Sequence, residues 1–515
     1  MEHPNISFLH FILFSTSFIL FLTQIIKVGK IILLRVTKTT HKKFPPGPWK
    51  LPIIGSIHHL IGSLPHHSLR QLSKIYGPLM HLKLGEVSTI VVSSPEFAKE
   101  ILKTYDSNFA QRPHQIGADI MCYGSSDIAT APYGSYWKQL RKLCSQELLC
   151  TKRVRSFQSI REQEVHNLIT YISNNIGSCI NLSEKVACMT STITSRSAFG
   201  KICKDQQEFI SLIKKLVTLA EGFVVIDLFP SQKWLHLISG MKPKLEELHR
   251  KFDNIIENII KEAVTKKGND GETIESFLSV LLRIKDHDEA LEYPLTIDNI
   301  KAVILDMFVA GSDTTSAIIE WSISEMLKNP TTMIKAQKEV REHFGNKGYI
   351  DETSLQELKY LKAIIKETLR LHPPFPLLLP RECRETCEVK GYTIQAGNKV
   401  IVNAWAIGRD PEYWNEAERF LPERFLDCKI DYKGSNIEYI PFGAGRRICP
   451  GILFGVSSIE LCLAKLLYHY NWELPSGLTE ENLEMTEALS SSSRRKTDLI
   501  LVPISRYTYV VRDLD

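Results

Sequence analysis

Hydrophobic and polar positions follow three different rhythms along this chain. From Ile6 to Ile26 the stretch "ISFLHFILFSTSFILFLTQII" runs 21 residues without a charge, enough for a helix to cross about 30 Å of hydrocarbon. It reads as a membrane span, because a cleaved leader would carry Lys or Arg ahead of the apolar run and a small-x-small site after it. In "PLMHLKLGEVSTIVVSS" the period drops to two, with Met80, Leu82 and Leu84 on one face, a turn at Gly85 and Glu86, and a return through Thr89 to Val92. That alternation predicts a small β-hairpin. From about Glu96 to Glu367 most segments carry the helical period, with no internal repeat and no linker that would divide them. One helix is predicted from Thr296 to Lys328, stopped by Asn329-Pro330. At roughly 50 Å it would cross the whole domain, and Asp306, Asp313 and Glu320 within it exclude a second span. Short strands are expected in "CEVKGYTI" and "KVIVNAWAI", and a further helix from about Ile452 to Tyr470. The expected fold class is mainly α (α+β): one large helical domain with small sheets over 53–515, preceded by an anchor over 1–29 and a linker over 30–52.

Charge places the anchor. Lys27, Lys30, Arg35, Lys38, Lys42 and Lys43 follow the span while only Glu2 precedes it, so the positive-inside rule puts the body in the cytoplasm. Four prolines, Pro45, Pro46, Pro48 and Pro52, then make a stiff connector. A net charge of +5 over 515 residues is far from the concentrated basicity of a nucleic-acid binder, so no nucleic-acid partner is expected. The 11 cysteines are irregularly spaced with no C-x-x-C pair, which suggests neither a disulfide framework nor a zinc site. Cys383 and Cys387 stand four apart without a histidine or second pair close in sequence. The N-x-S sequon at Asn181 would face the cytosol and reads as chance.

One cysteine is set apart by its neighbours. In "PFGAGRRICPG" Phe442, Gly445, Arg447, Cys449 and Gly451 form the pattern F-x-x-G-x-R-x-C-x-G just ahead of a helix. Unpaired N–H groups at that helix start would stabilise a thiolate, the form a haem iron takes as axial ligand. Within the long helix Val303, Met307, Ala310, Gly311 and Thr314 fall on one stripe. A mid-helix glycine costs ~1 kcal/mol against alanine, so Gly311 suggests a close approach there, with Asp313 and Thr314 beside it. "KETLR" places Glu367 and Arg370 one turn apart, "PERF" supplies Arg424, and "WKQLRK" spaces Trp137 and Arg141 by one turn.

These motifs, in this order, resemble the cytochrome P450 haem-thiolate monooxygenases, and the resemblance covers essentially the whole chain. It implies haem b (iron protoporphyrin IX) with Cys449 as the iron ligand, Trp137, Arg141, Arg381 and Arg447 on its propionates, and Phe442 shielding the thiolate face. It implies a structural triad of Glu367, Arg370 and Arg424, and proton delivery to bound dioxygen by Asp313 and Thr314. "LHPPFPLLLPREC", "VNAWAIGRDPEYW" and "EYIPFGAGRRICPG" read like the plant microsomal members, in particular the terpenoid and indole alkaloid hydroxylases. The expected activity is oxidation of a lipophilic plant metabolite, foremost a sesquiterpene or diterpene, then an indole alkaloid or a flavonoid. A thiolate-haem isomerase or dehydratase and a haem-binding sensor are the rival classes. The chain carries no flavin or nicotinamide signature, so the implied electron donor is NADPH-cytochrome P450 reductase at the endoplasmic reticulum membrane, docking near Lys138, Lys142 and Arg446. The expected pocket lining is apolar: Val303, Met307, Ala310, Gly311, Phe375, Pro376, Leu377, Leu378, Leu379 and Leu489. One departure stands out: "MTEALSSSSRRK" replaces an aromatic or glycine-containing turn in the loop that, by analogy, caps the pocket, so Ser490 to Ser493 lack a role.

Overall fold

The long helix is the axis around which the rest is built. In the computed structural model it spans Ile297–Lys328. Its first turn is closed by a reciprocal pair: Thr296 Oγ1 accepts from the Asn299 N–H at 3.1 Å, and Asn299 Oδ1 accepts from the Thr296 N–H at 3.0 Å, satisfying donors the helix itself leaves open. Pro330 begins the next helix, Pro330–Phe344. Three helices, Leu182–Phe199, Lys359–Leu371 and Ile452–His469, pack against the long one. The long helix and Ile452–His469 are apolar enough to cross a bilayer, yet 72% and 67% of their apolar windows are buried in protein, so both are core helices.

The structure describes residues 43–506 apart from most of 202–224 and from 233, 236–238, 266–273, 288–290, 346–349, 351 and 491. The span expected over 1–29 and its basic flank as far as Lys42 lie outside the described residues.

The period-two segment forms the hairpin Leu79–Leu84 and Val87–Val92, in register from Leu79 opposite Val92 to Leu84 opposite Val87. Met80, Leu82 and Leu84 are buried. Lys399–Val402 joins parallel to the second strand and carries Arg381–Glu382 at the far edge, which brings Arg381 to the helical body. Several local features go beyond or change the expectations. "KVIVNAWAI" is strand only to Val402; Asn403 Oδ1 then accepts from the Ala406 N–H at 3.0 Å and caps a helical turn, Ala404–Ile407. Asn181, noted in the sequence only for its sequon, has a structural role that reading did not give it: its side chain caps Leu182–Phe199 by accepting from the Glu184 N–H at 3.0 Å. The described end of the proline segment is docked, since the His81 N–H donates to Pro46 O at 2.7 Å and the Thr393 N–H to Lys43 O at 2.9 Å.

Candidate active site

Cys449 sits on a loop that only glycine-rich sequence can form. Gly443 and Gly445 both have φ +72, a left-handed conformation that costs side-chain-bearing residues free energy. At Gly445 a Cβ would also lie 2.1 Å from Leu102 O. The loop closes on itself where the Cys449 N–H donates to Phe442 O at 3.0 Å. The thiol is enclosed by protein and opens only into a cavity. Burial pushes its pKa up, against the opposing pull of the Gly451 N–H and Arg141. The sequence led us to expect the helix start to prevail and lower it; desolvation outweighs that one N–H. A metal cation bound to the sulfur reverses this balance, because a coordinating thiol gives up its proton.

Across the cavity stands the long helix. Met307, Ala310, Gly311 and Thr314 line it, joined by Thr315 and Ile318, whereas Val303 does not and is buried within the core. Gly311 does mark a close approach. A Cβ there would meet Thr194 Oγ1 at 3.2 Å and Phe454 Cε1 at 3.4 Å, so the glycine admits the helix Leu182–Phe199 as well as lining the cavity. Phe375, Leu378, Leu379 and Phe442 complete an apolar lining, with Leu378 itself at φ +52. Pro376 is outside that lining. Leu377 packs toward the hairpin core instead. Leu489 is 71% exposed and outside the lining.

Four guanidinium groups, from Arg112, Arg141, Arg381 and Arg447, line the same cavity. Burial draws each below its ordinary pKa, Arg447 to about 9, and mutual repulsion lowers Arg112 and Arg447 further. Asp106 offsets part of this by accepting from Arg381 Nη1 at 3.0 Å. So much positive charge turned into one buried space suits a ligand with two carboxylates. Trp137 lines the cavity as well. Its Nε1–H donates to Ile128 O at 2.9 Å, and its ring underlies the Arg447 guanidinium at 4.1 Å. Arg447 in turn donates to Ala110 O, Ile128 O and Ala131 O at 2.9, 3.3 and 2.6 Å.

Arg112 was missed by sequence reasoning. It lies in "QRPH" with no periodic context, and only the fold shows its partners: Ala129 O at 2.8 Å, Leu379 O at 2.9 Å and Pro380 O at 2.7 Å. Asp306 was noted only as a charge against a span. It lines the cavity and accepts from the Ile128 and Ala129 N–H groups at 2.8 and 3.1 Å. Burial, and the nearby Asp127, hold its carboxyl well above the usual range.

Asp313 and Thr314 part company. Thr314 lines the cavity and donates its hydroxyl to Ala310 O at 2.6 Å. Asp313 is buried outside the lining, ion-paired with Arg494, and accepts from Ser492 Oγ at 3.1 Å. Away from the cavity, Glu367 meets both Arg370 and Arg424. Arg370 donates to its two oxygens at 2.7 and 2.8 Å and Arg424 Nε at 3.0 Å. Arg370 also ties down Gly408 O, Ala417 O and Arg419 O, fixing the chain that leads to the cysteine loop. Lys138, Lys142 and Arg446 are exposed, the first two on the same short helix, Ser135–Leu143, that carries Trp137 and Arg141.

The site's residues fit a haem on these observations: a thiol that opens into the cavity, a facing helix wall that includes small residues, and four cavity-lining guanidinium groups of which only Arg381 is ion-paired to a carboxylate, Asp106, among the described residues. Comparison with known proteins points the same way. A family model described as "Cytochrome P450" matches residues 45–501. Premnaspirodiene oxygenase of Hyoscyamus muticus is 52% identical over 92% of this chain and 95% of its own. Desmethyl-deoxy-podophyllotoxin synthase of Sinopodophyllum hexandrum is 53% identical over 96% of this chain and 97% of its own. A solved structure of a zebra fish cytochrome P450 with progesterone superposes with a TM-score of 0.76 at 25% identity, covering 86% of this chain and all of that one.

Proposed function

The chain belongs to the cytochrome P450 family, and from that premise we propose that it oxidises a terpenoid hydrocarbon, a sesquiterpene foremost, with electrons from NADPH-cytochrome P450 reductase. Membership makes it a haem-dependent monooxygenase that uses dioxygen and a lipophilic substrate. One observation carries the substrate reading: the wall facing Cys449 is built from Met307, Ala310, Phe375, Leu378 and Leu379, which favours a ligand with little polarity. The activity named for the Hyoscyamus muticus relative supports it.

Bound haem b supplies the iron at which dioxygen is activated for insertion of one oxygen atom into a C–H bond. Cys449 holds that iron through its thiolate, with the Gly451 N–H tempering the sulfur's charge. Arg112, Arg141, Arg381 and Arg447 hold the two propionates, with Trp137 supporting Arg447 from below. Phe442 shields the thiolate face. Thr314 presents its hydroxyl oxygen to the cavity while its proton rests on Ala310 O, and Asp313 is the acid that supplies protons beside it. The apolar side chains orient the substrate and exclude water. The triad Glu367, Arg370 and Arg424 keeps the cysteine loop in place. The anchor over 1–29 and linker over 30–52 hold the catalytic domain at the cytoplasmic face of the endoplasmic reticulum, and Lys138, Lys142 and Arg446 meet the reductase.

The test is expression of the full chain with a plant reductase and a panel of sesquiterpene, diterpene and indole alkaloid precursors under labelled dioxygen. We expect a sesquiterpene product carrying one labelled oxygen, dependent on NADPH. Label only in an alkaloid product would move the substrate class, and turnover of a hydroperoxide without NADPH or reductase would overturn the monooxygenase reading.

A further inference from the structure

The serine-rich segment finds its partner in the acid of the long helix. Residues on either side of it are zipped together: Glu487 bridges Arg495, and the Ala488 N–H donates to Arg494 O at 2.8 Å. The tip between them is bound to the helical body at several points. Trp321 Nε1–H donates to Ser493 O at 2.8 Å, and the Ser493 N–H donates to Pro374 O at 2.9 Å. The strap is therefore fixed in place, with Ser492 and Ser493 buried. Ser492, 2% exposed, donates to Asp313 Oδ2 at 3.1 Å, and Asp313 is itself 8% exposed. Ser490 lies half-buried one step further out, with its Oγ 3.4 Å from Ser492 Oγ. Arg494 takes the other carboxylate oxygen, Oδ1.

We propose that this strap feeds and aims Asp313: Ser490 and Ser492 form a two-hydroxyl path from the surface to Oδ2, and Arg494 is the positioning residue that fixes the carboxylate through Oδ1. A buried acid that gives protons to a reaction must be refilled, and the refilling group has to reach it through the protein. Asp313 does not line the cavity, but its neighbour Thr314 does, so the acid stands between the strap on one side and the reaction space on the other. In each cycle Oδ2 releases one proton toward the cavity beside Thr314. Ser492 then passes its hydroxyl proton to Oδ2 and takes one from Ser490, which takes one from solvent. Every hop breaks one O–H bond and forms another, and the strap carries no net charge afterward. The geometry gives Ser490 and Ser492 a role in the described structure, while Leu489 beside them is 71% exposed.

The inference rests on the reading of Asp313 as the proton-supplying acid, and the experiment separates the two. Ser492→Ala, Ser492→Thr, Arg494→Gln and Asp313→Asn are made in the full-length holoenzyme. Each is compared by the infrared carboxylate bands of the resting protein, the solvent isotope effect on NADPH oxidation, and the share of electrons lost as hydrogen peroxide, with reductase and the sesquiterpene substrate present. Ser492→Ala is expected to shift the band that Asp313→Asn removes, to raise peroxide release several-fold and to enlarge the isotope effect, with Ser492→Thr restoring all three. Should Ser492→Ala fail to fold, Arg494→Gln carries the test, with the same band shift and uncoupling expected. If Asp313→Asn uncouples while Ser492→Ala and Arg494→Gln behave as wild type, the strap has no such role and the acid reading stands. If Asp313→Asn itself leaves coupling unchanged, the acid reading fails and this inference with it.

Discussion

The Arg447 guanidinium sits over the Trp137 ring, 4.1 Å from its centroid, and the Trp137 N–H fixes the Ile128 carbonyl that Arg447 also uses. The two residues come from opposite ends of the domain and together make the floor of the cationic wall. Trp137→Ala removes a buried ring and should cost about 3–5 kcal/mol. Trp137→Phe keeps an aromatic face under Arg447 but loses part of the buried indole and one hydrogen bond worth about 1 kcal/mol, so it should cost less than alanine. Thermal unfolding and the haem-to-protein ratio check both. Equal effects from the two variants would mean that the ring's support of Arg447 is not what matters.

Glu367 is fully buried beneath Arg370 and Arg424, and the Leu421 N–H donates to it as well, at 2.8 Å. Glu367→Gln leaves two guanidinium groups without their anion, and one-sided removal from a buried pair costs about 3–5 kcal/mol. We expect little folded haem protein from this variant, read as the yield of haem absorbance per unit of protein. A near-normal yield would show that the backbone carbonyls on Arg370 hold the loop unaided.

Much of this arrangement could be read from sequence, and what could not has a common cause. Cys449, the long helix and the hairpin were legible because each is specified within a few turns of chain by glycines, periodicity or alternation. Arg112, Asp106 and Asp306 gain their meaning only from carbonyls and N–H groups far away in sequence, which no local pattern encodes. Leu489 was assigned by hydrophobicity to the pocket, but the strap is fixed by Trp321 and Pro374 on the backbone of Ser493, and that register buries Ser492 and Ser493 while leaving Leu489 exposed. At Gly311 the close approach was legible from a glycine in mid-helix, but the residues that make it, Thr194 and Phe454, come from helices far away in sequence.

Gly311→Ala sets helix propensity against packing. Alanine is favoured by ~1 kcal/mol in a helix, yet its Cβ would press on Thr194 Oγ1, which is held by Thr190 O at 2.9 Å and has no easy retreat. Overpacking costs about 1–3 kcal/mol, so the variant should be less stable. Adding Thr194→Ala should recover the loss, and a double-mutant cycle in thermal or urea unfolding measures it. No coupling between the two positions would refute the contact.

Glu460, on the helix that follows Cys449, is pushed up from 4.5 to about 7 chiefly by burial. The folded state therefore holds a proton that the unfolded chain has already lost, so stability falls as pH rises from about 4.5 to about 7. Glu460→Gln should abolish that slope and gain on the order of 2–3 kcal/mol relative to wild type at the upper end of this window. Denaturant unfolding at pH 5 and pH 7.5 gives the comparison; parallel changes in both proteins would contradict the assignment.

The account stands on Cys449 as the group that holds the haem iron. The most direct measurement is the carbon monoxide difference spectrum of the reduced full-length protein, wild type beside Cys449→Ser, with circular dichroism to establish that both are folded. We expect the long-wavelength Soret band of a thiolate-ligated haem in the wild type and its complete loss in the folded variant. The same band surviving in Cys449→Ser would contradict the account.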